Sequence, residues 1–167
     1  MKNSGFSVIE LVVVIAILSI LIAIAGLYSR EMMERYQVEG QIKEMYADVM
    51  NARVSALQRN RVFFVTLAAN QYAIYEDVYS AITPSSPDGD VVLQTANDRL
   101  VTQKTLRHSL AAGFPASFSF TTNGLLSSTT GFTISVSSTA NPATDCIALA
   151  STRVLMGKMN GTNCIPQ

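Results

Sequence analysis

Gly5-Phe6-Ser7-Val8-Ile9-Glu10 leads into residues 11–29, LVVVIAILSILIAIAGLYS, a run without a charged side chain that stops at Arg30. At about 1.5 Å per residue a helix of this length crosses the hydrocarbon core of a bilayer. Its many Val and Ile residues weaken a helix in water, but in lipid the backbone can satisfy its polar groups only within the segment, so helix is the economical reading. A cleaved secretory signal fits poorly. The apolar stretch exceeds the usual length of about 7–15 residues, and Tyr28-Ser29-Arg30-Glu31 offers no small-residue cleavage pattern.

Working outward, the pattern past Arg30 becomes amphipathic. Val38, Ile42, Met45, Val49, Ala52 and Ala56 recur at spacings of three and four with Tyr46, Met50 and Leu57 beside them, while Glu39, Lys43, Glu44, Asp48 and Arg53 fall mostly on other faces. One helix from about Phe6 to about Gln58 would be roughly 80 Å long, more than a bilayer needs, so its second half belongs to a water-exposed domain. Gly26 and Gly40 permit a bend or a close approach without requiring one. The methionines on this face are read as core.

The remainder reads as strands. Residues 61–68 and 71–78 flank Ala69-Asn70 as a hairpin; further strand patterns occupy 91–95, 99–106, 117–121, 132–137, 146–150 and 153–157, separated by Pro-, Gly-, Ser- and Asn-rich turns. The expected architecture is α+β, one long N-terminal helix whose amphipathic half covers an antiparallel sheet. The 167 residues carry 12 basic and 12 acidic side chains and are only 14% charged, with a mean hydropathy of +0.27, which argues for one ordered, unusually apolar domain. Neutrality also means no overall electrostatic footprint for nucleic acid.

Glu10 is the acid inside the apolar helix. A carboxylate at a helix N-terminus profits from the positive end of the dipole and can reach headgroups, which by itself accounts for its placement. Its neighbours are more specific. The polar leader MKNSG ends at Gly5, Phe6 follows, and Glu10 is the fifth residue from Phe6. This arrangement resembles the type IV prepilin signal. The resemblance implies a prepilin peptidase that cuts between Gly5 and Phe6 on the cytoplasmic face and methylates the new Phe6 amine. It also implies a single-pass subunit of the bacterial inner membrane, moved by an inner-membrane assembly platform into a helical filament of other pilins or pseudopilins. An ionised Glu10 in hydrocarbon is costly unless paired, and the freed cationic amine of Phe6 on a neighbour supplies the partner. A head-to-tail contact of this kind repeats without closing. The expected organisation is leader 1–5, transmembrane and assembly helix 6–29 in contact with membrane lipid, amphipathic half 30–59, and a periplasmic β-rich globular domain 60–167. The charge bias at the ends of the span supports this orientation only through Lys2 and the initial amine, because Arg30 and Arg35 are offset by Glu31 and Glu34.

Cys146 and Cys164 are the two cysteines. Two buried thiols are the plain alternative, but an exported domain meets an oxidising compartment, so a disulfide is expected there. The segment 56–62 and the tail around Cys146, Arg153, Gly157 and Lys158 are similar to the GspH/FimT group of minor pilins and pseudopilins, which share a pilin-like fold of helix, sheets and a late strand. Some members bind DNA through basic residues in that tail, which would place the role on Arg153 and Lys158. Two departures weigh against it: Thr152 stands where the group has Gly, and Leu155 where it has a second basic residue. Loss of Lys2 with the leader would also leave one fewer basic than acidic residue. A DNA-uptake minor pilin is kept as the alternative to a structural subunit of a type IV pilus or type II secretion pseudopilus.

No enzyme is indicated. His108 is the sole histidine, its neighbour Ser109 is adjacent instead of opposed, and no nucleophile motif occurs. Asp88-Gly89-Asp90 with Asp98 lacks the spacing of a calcium loop and reads as turn chemistry, and Asn160-Gly161-Thr162 reads as a turn more than a glycosylation site. No metal or other cofactor is expected.

Overall fold

The computed structural model describes residues 7–78, 92–96 and 98–167. Helix α1 (Val8–Arg59) is continuous. Ser7 precedes it in an extended conformation, and its carbonyl accepts from the amides of Glu10 and Leu11 at 3.1 and 3.2 Å. The helix ends at Arg59, one residue later than expected, and is capped by Asn60, whose φ of 51° and ψ of 45° are left-handed. Asn visits that conformation more readily than most side chains. The Asn60 and Arg61 amides both return to the Ala56 carbonyl.

The strands follow as β1 (Phe63–Ala68), β2 (Gln71–Glu76), β3 (Arg99–Thr105), β4 (Ser117–Phe120), β5 (Phe132–Ser135), β6 (Cys146–Leu149), β7 (Val154–Asn160) and β8 (Asn163–Pro166). They form two four-stranded antiparallel sheets, ordered β3-β2-β1-β4 and β5-β6-β7-β8. The expected hairpin is β1–β2, closed by Ala69-Asn70 with Ala68 opposite Gln71.

Two expectations are corrected. Residues 92–94 form no strand and Thr95-Ala96 is a turn, while Val91 lies outside the described residues. The Asp98 carboxylate accepts the Gln94 amide at 2.7 Å and the Asp98 amide donates to the Gln94 carbonyl at 2.8 Å, which curls this segment locally and takes its backbone away from a ladder. Conversely, β7 runs on to Asn160, and Gly161, at φ 62°, turns the chain into β8, which the short and polar tail had not suggested. The sequon triplet is thus a turn.

The helix covers both sheets, touching β1 and β4 of one and β6 and β7 of the other. Val38, Ile42, Met45, Val49, Ala52 and Ala56 are all buried, in one cluster with Phe63, Val65, Phe118, Phe120, Ile134, Ile147, Leu149 and Val154. Full burial of a side chain of this size is worth about 1.5–3 kcal/mol, so this stripe is what binds the helix to the sheets. Tyr46 and Met50 pack against the cluster, whereas Leu57 remains half exposed beside Gly124. Phe118 of β4 meets Phe132 of β5 with ring centroids 5.1 Å apart, joining the two sheets directly.

Candidate functional site

Residues 8–24 of α1 are bare. Every large apolar side chain there is exposed, from 46% at Val14 to 81% at Val8, and no other element among the described residues covers them. This portion is long and apolar enough to cross a membrane. Glu10 lies in the first helical turn, its side chain exposed and without a hydrogen-bonding or ionic partner among the described residues. Gly5 and Phe6, the expected processing pair, fall outside the described residues.

The other half of the helix is tied to the domain by a succession of polar side chains. Glu34 accepts from Ser138 Oγ and Glu39 from the Ala143 amide, each at 2.8 Å. Gln41 Oε1 accepts from the Arg107 and His108 amides at 3.0 Å, and its Nε2 donates to the His108 carbonyl at 2.8 Å. Further along, Arg53 donates to the carbonyls of Gly124 and Thr152 at 2.8 and 2.9 Å. All but the Glu34 tie satisfy loop backbone groups that would otherwise lack partners on the covered face.

Two ionic clusters complete these attachments. Lys104 Nζ lies 2.7 Å from Asp48 and 2.8 Å from Glu44, and the buried Tyr72 hydroxyl donates to Asp48 at 2.6 Å. Burial first, and then the hydrogen bond to the Asp48 carboxylate, push the Tyr72 phenol well above its ordinary value. Hydrogen bonds to Asp48 and Glu44 raise the Lys104 ammonium against the opposing effect of burial. At the C-terminal end of α1, the buried carboxylate of Glu76 is held by Arg59 at 2.7 Å, by Arg61 at 3.7 Å and by Arg99. Sequence reasoning missed both clusters. Asp48 sits at the edge of the apolar stripe, one residue before Val49, and that position was its available signal; Glu76 had none, because its partners converge only in the fold.

The tail residues are placed apart. Arg153 is exposed just before β7, whereas Lys158 within β7 donates to Asn141 Oδ1 at 2.5 Å. Of the other basic side chains that a nucleic-acid surface could use, Arg59, Arg61 and Arg99 are engaged with Glu76 and Lys104 with Asp48 and Glu44, while Arg107 is exposed. Cys146 of β6 and Cys164 of β8 form the expected disulfide, with Cα atoms 6.0 Å apart. Asp98 serves as the clasp of its own loop, and Asp88, Gly89 and Asp90 lie outside the described residues. His108 and Ser109 use backbone groups to hold neighbouring loops and make no side-chain dyad.

Residues 1–26 match the model of the prokaryotic N-terminal methylation motif, and residues 41–152 match that of type II transport protein GspH. Among solved structures, the chain is similar to the type IV minor pilin FimU of Pseudomonas aeruginosa, with a TM-score of 0.51 and 14% identity over 80% of this chain and 96% of that one. It is also similar to EpsH, the minor pseudopilin of the type 2 secretion system of Vibrio cholerae, with a TM-score of 0.50 and 16% identity over 73% of this chain and 97% of that one. At those identities the likeness concerns the fold. No curated protein matches the sequence significantly.

Proposed function

The chain belongs to the GspH family of type II transport proteins and carries the prokaryotic methylation motif at its start, and from that premise we infer that it is a minor pilin or minor pseudopilin, a structural subunit of a type IV pilus or of a type II secretion pseudopilus. The observation that carries this reading is the bare apolar helix of residues 8–24 immediately behind that motif, on a chain whose helix buries its apolar stripe from Val38 to Ala56 against its own sheets. A surface of that size needs lipid before assembly and the helices of neighbours afterwards.

In this reading a prepilin peptidase hydrolyses the Gly5–Phe6 bond at the cytoplasmic face and methylates the new amine. The subunit then stays in the inner membrane with its domain in the periplasm until the assembly platform lifts it into the filament. Glu10 receives the cationic amine of a neighbour's Phe6 as the helices pack. Two ionic groups in an apolar lattice are tolerable only as a pair, so the contact selects one axial register among many that apolar packing alone would accept.

Mass spectrometry of the protein from its native cells tests this reading. An N-terminus at methylated Phe6 is the expected result, and a working protein that still begins at Met1 overturns it. The DNA-uptake alternative gains no support from Lys158, which is engaged with Asn141, or from Arg59, Arg61 and Arg99, which are engaged with Glu76.

A further inference from the structure

Where the bare helix meets the globular domain, residues 137–143 are drawn down against α1. Ser138 Oγ donates to Glu34 at 2.8 Å, the Ala143 amide donates to Glu39 at 2.8 Å, and the Ala140 amide donates to Ser138 Oγ at 3.1 Å. Ala140 and Pro142 are buried beneath, leaving Ser137, Thr139, Asn141 and Ala143 exposed. The helix rises only about 6 Å from Arg30, the first charge beyond the apolar run, to Glu34. The polar layer on each side of a bilayer's hydrocarbon core is about 5–7 Å thick. The Ser138 end of the loop therefore stands at the level of the headgroups when Arg30 marks the edge of the hydrocarbon, and the Ala143 end, tied at Glu39, stands about 13 Å from Arg30, just above them.

We propose that this loop, with Arg30 and Tyr36 of the helix, is a foot that seats the globular domain on the phospholipid headgroup layer before assembly; the proposal rests on the reading of residues 8–29 as a membrane span. Charge at this level is balanced, Arg30 and Arg35 against Glu31 and Glu34, so an anionic surface is not repelled. Residues 137–143 contain no ionisable side chain. The neighbouring carboxylates are engaged within the chain: Glu31 by Arg35 at 2.5 Å, Glu34 by Ser138, and Glu39 by the Ala143 amide and by Lys43 at 3.6 Å. Arg30 is exposed and has no ion pair among the described residues, so its guanidinium is available to lipid phosphate. Tyr36 is 65% exposed, and helical side chains lean toward the helix N-terminus, which carries its ring down to the interface where Tyr is favoured. Tied to the helix at Glu34 and Glu39, the foot fixes the height at which the domain stands, and therefore the tilt available to the span.

The chain contains no Trp, so single-Trp variants report one position each. The full chain is reconstituted at low protein density in phosphatidylethanolamine and phosphatidylglycerol vesicles containing brominated lipid. Ile20→Trp reports the span, Thr139→Trp and Ser137→Trp report the foot at two exposed positions, and Leu125→Trp, beside Gly124 at the far end of α1, reports the distal pole. The expected result is strong loss of emission for Ile20→Trp, none for Leu125→Trp, and an intermediate loss with a blue shift at both foot positions. Foot variants as unquenched as Leu125→Trp, with Ile20→Trp quenched, overturn the foot and leave the span intact. An unquenched Ile20→Trp removes the span itself. Foot positions that escape lipid quenching yet become shielded from acrylamide as protein density rises meet another subunit instead, which also overturns the proposal.

Discussion

Gly157 is a residue for which nothing larger fits. It lies in β7 opposite Cys146 of β6 and Pro166 of β8, and the disulfide joins those two outer strands across it. A Cβ built there would overlap the Ile165 carbonyl oxygen and stand 3.0 Å from Cys164 Sγ. Backbone and disulfide would both have to move, so Gly157→Ala should destabilise the protein by at least about 1–3 kcal/mol, the usual cost of overpacking, read as a lower denaturant midpoint of the full chain in detergent. A wild-type midpoint would show that β8 yields freely. Tyr72 and Lys104 allow a prediction of opposite character. Both have folded-state values raised above their unfolded ones, so the stabilisation they contribute is complete below those unfolded values and is lost as pH climbs through the raised ones. The denaturant midpoint should therefore fall above about pH 10, where unfolded Tyr and Lys begin to lose protons. Tyr72→Phe should flatten that fall, and an unchanged alkaline profile in this variant would show that the Asp48 cluster does not couple folding to pH.

Among the elements, the covered half of α1 was the most legible in sequence. Its six apolar positions recur at helical spacing because one straight rod must meet both sheets along a single line, and every one of them is buried. Ile42 is completely inaccessible, so Ile42→Ala should cost about 2–5 kcal/mol through lost burial and the cavity left behind. A cost below 1 kcal/mol, measured by denaturant titration, would mean that the sheets collapse onto the gap. The β1–β2 hairpin was legible for a different reason: two alternating runs are close in sequence, and a two-residue turn sets their register locally. β8 was not legible, because its identity comes from outside itself, from the neighbouring β7 and from a disulfide spanning 18 positions. Likewise 91–95 has the apolar pattern of a strand, but its described residues 92–95 belong to a loop closed by Asp98. The division of the strands into two sheets also escaped, since alternation reports which face is covered and not which neighbour pairs. Replacing both cysteines by Ser should remove about 3 kcal/mol in the loop-entropy account and expose the β8 amides first to hydrogen exchange. Uniform acceleration across β1 and β2 as well would show instead that the bridge stabilises the whole domain.

At the scale of the molecule, the chain is one rod with two differently satisfied halves. From Val38 to Ala56 its apolar stripe is filled by its own sheets and its polar side chains hold successive loops, so the domain moves with the helix. Over residues 8–24 none of the described elements covers the apolar side chains, and any stable state of the molecule must supply cover. Lipid supplies it without direction, whereas a filament supplies it at one register. In the proposed assembly, Glu10 distinguishes the two environments. In the membrane, its place in the first turn lets the carboxylate reach the interface, so Glu10→Ala should leave the amount of protein in the membrane fraction unchanged. In the proposed filament the same carboxylate would be the partner of a neighbour's amine, and removing one member of a buried ion pair costs about 3–5 kcal/mol because the other is left uncompensated. Incorporation should therefore fall by roughly a hundredfold or more at unchanged expression, measured as the variant's share of sheared or affinity-purified filaments. Glu10→Gln, which keeps the shape and loses the charge, should fail as Glu10→Ala does. If Glu10→Gln assembles normally while Glu10→Ala does not, the position serves packing and not charge pairing, and the register must be set elsewhere along the bare helix.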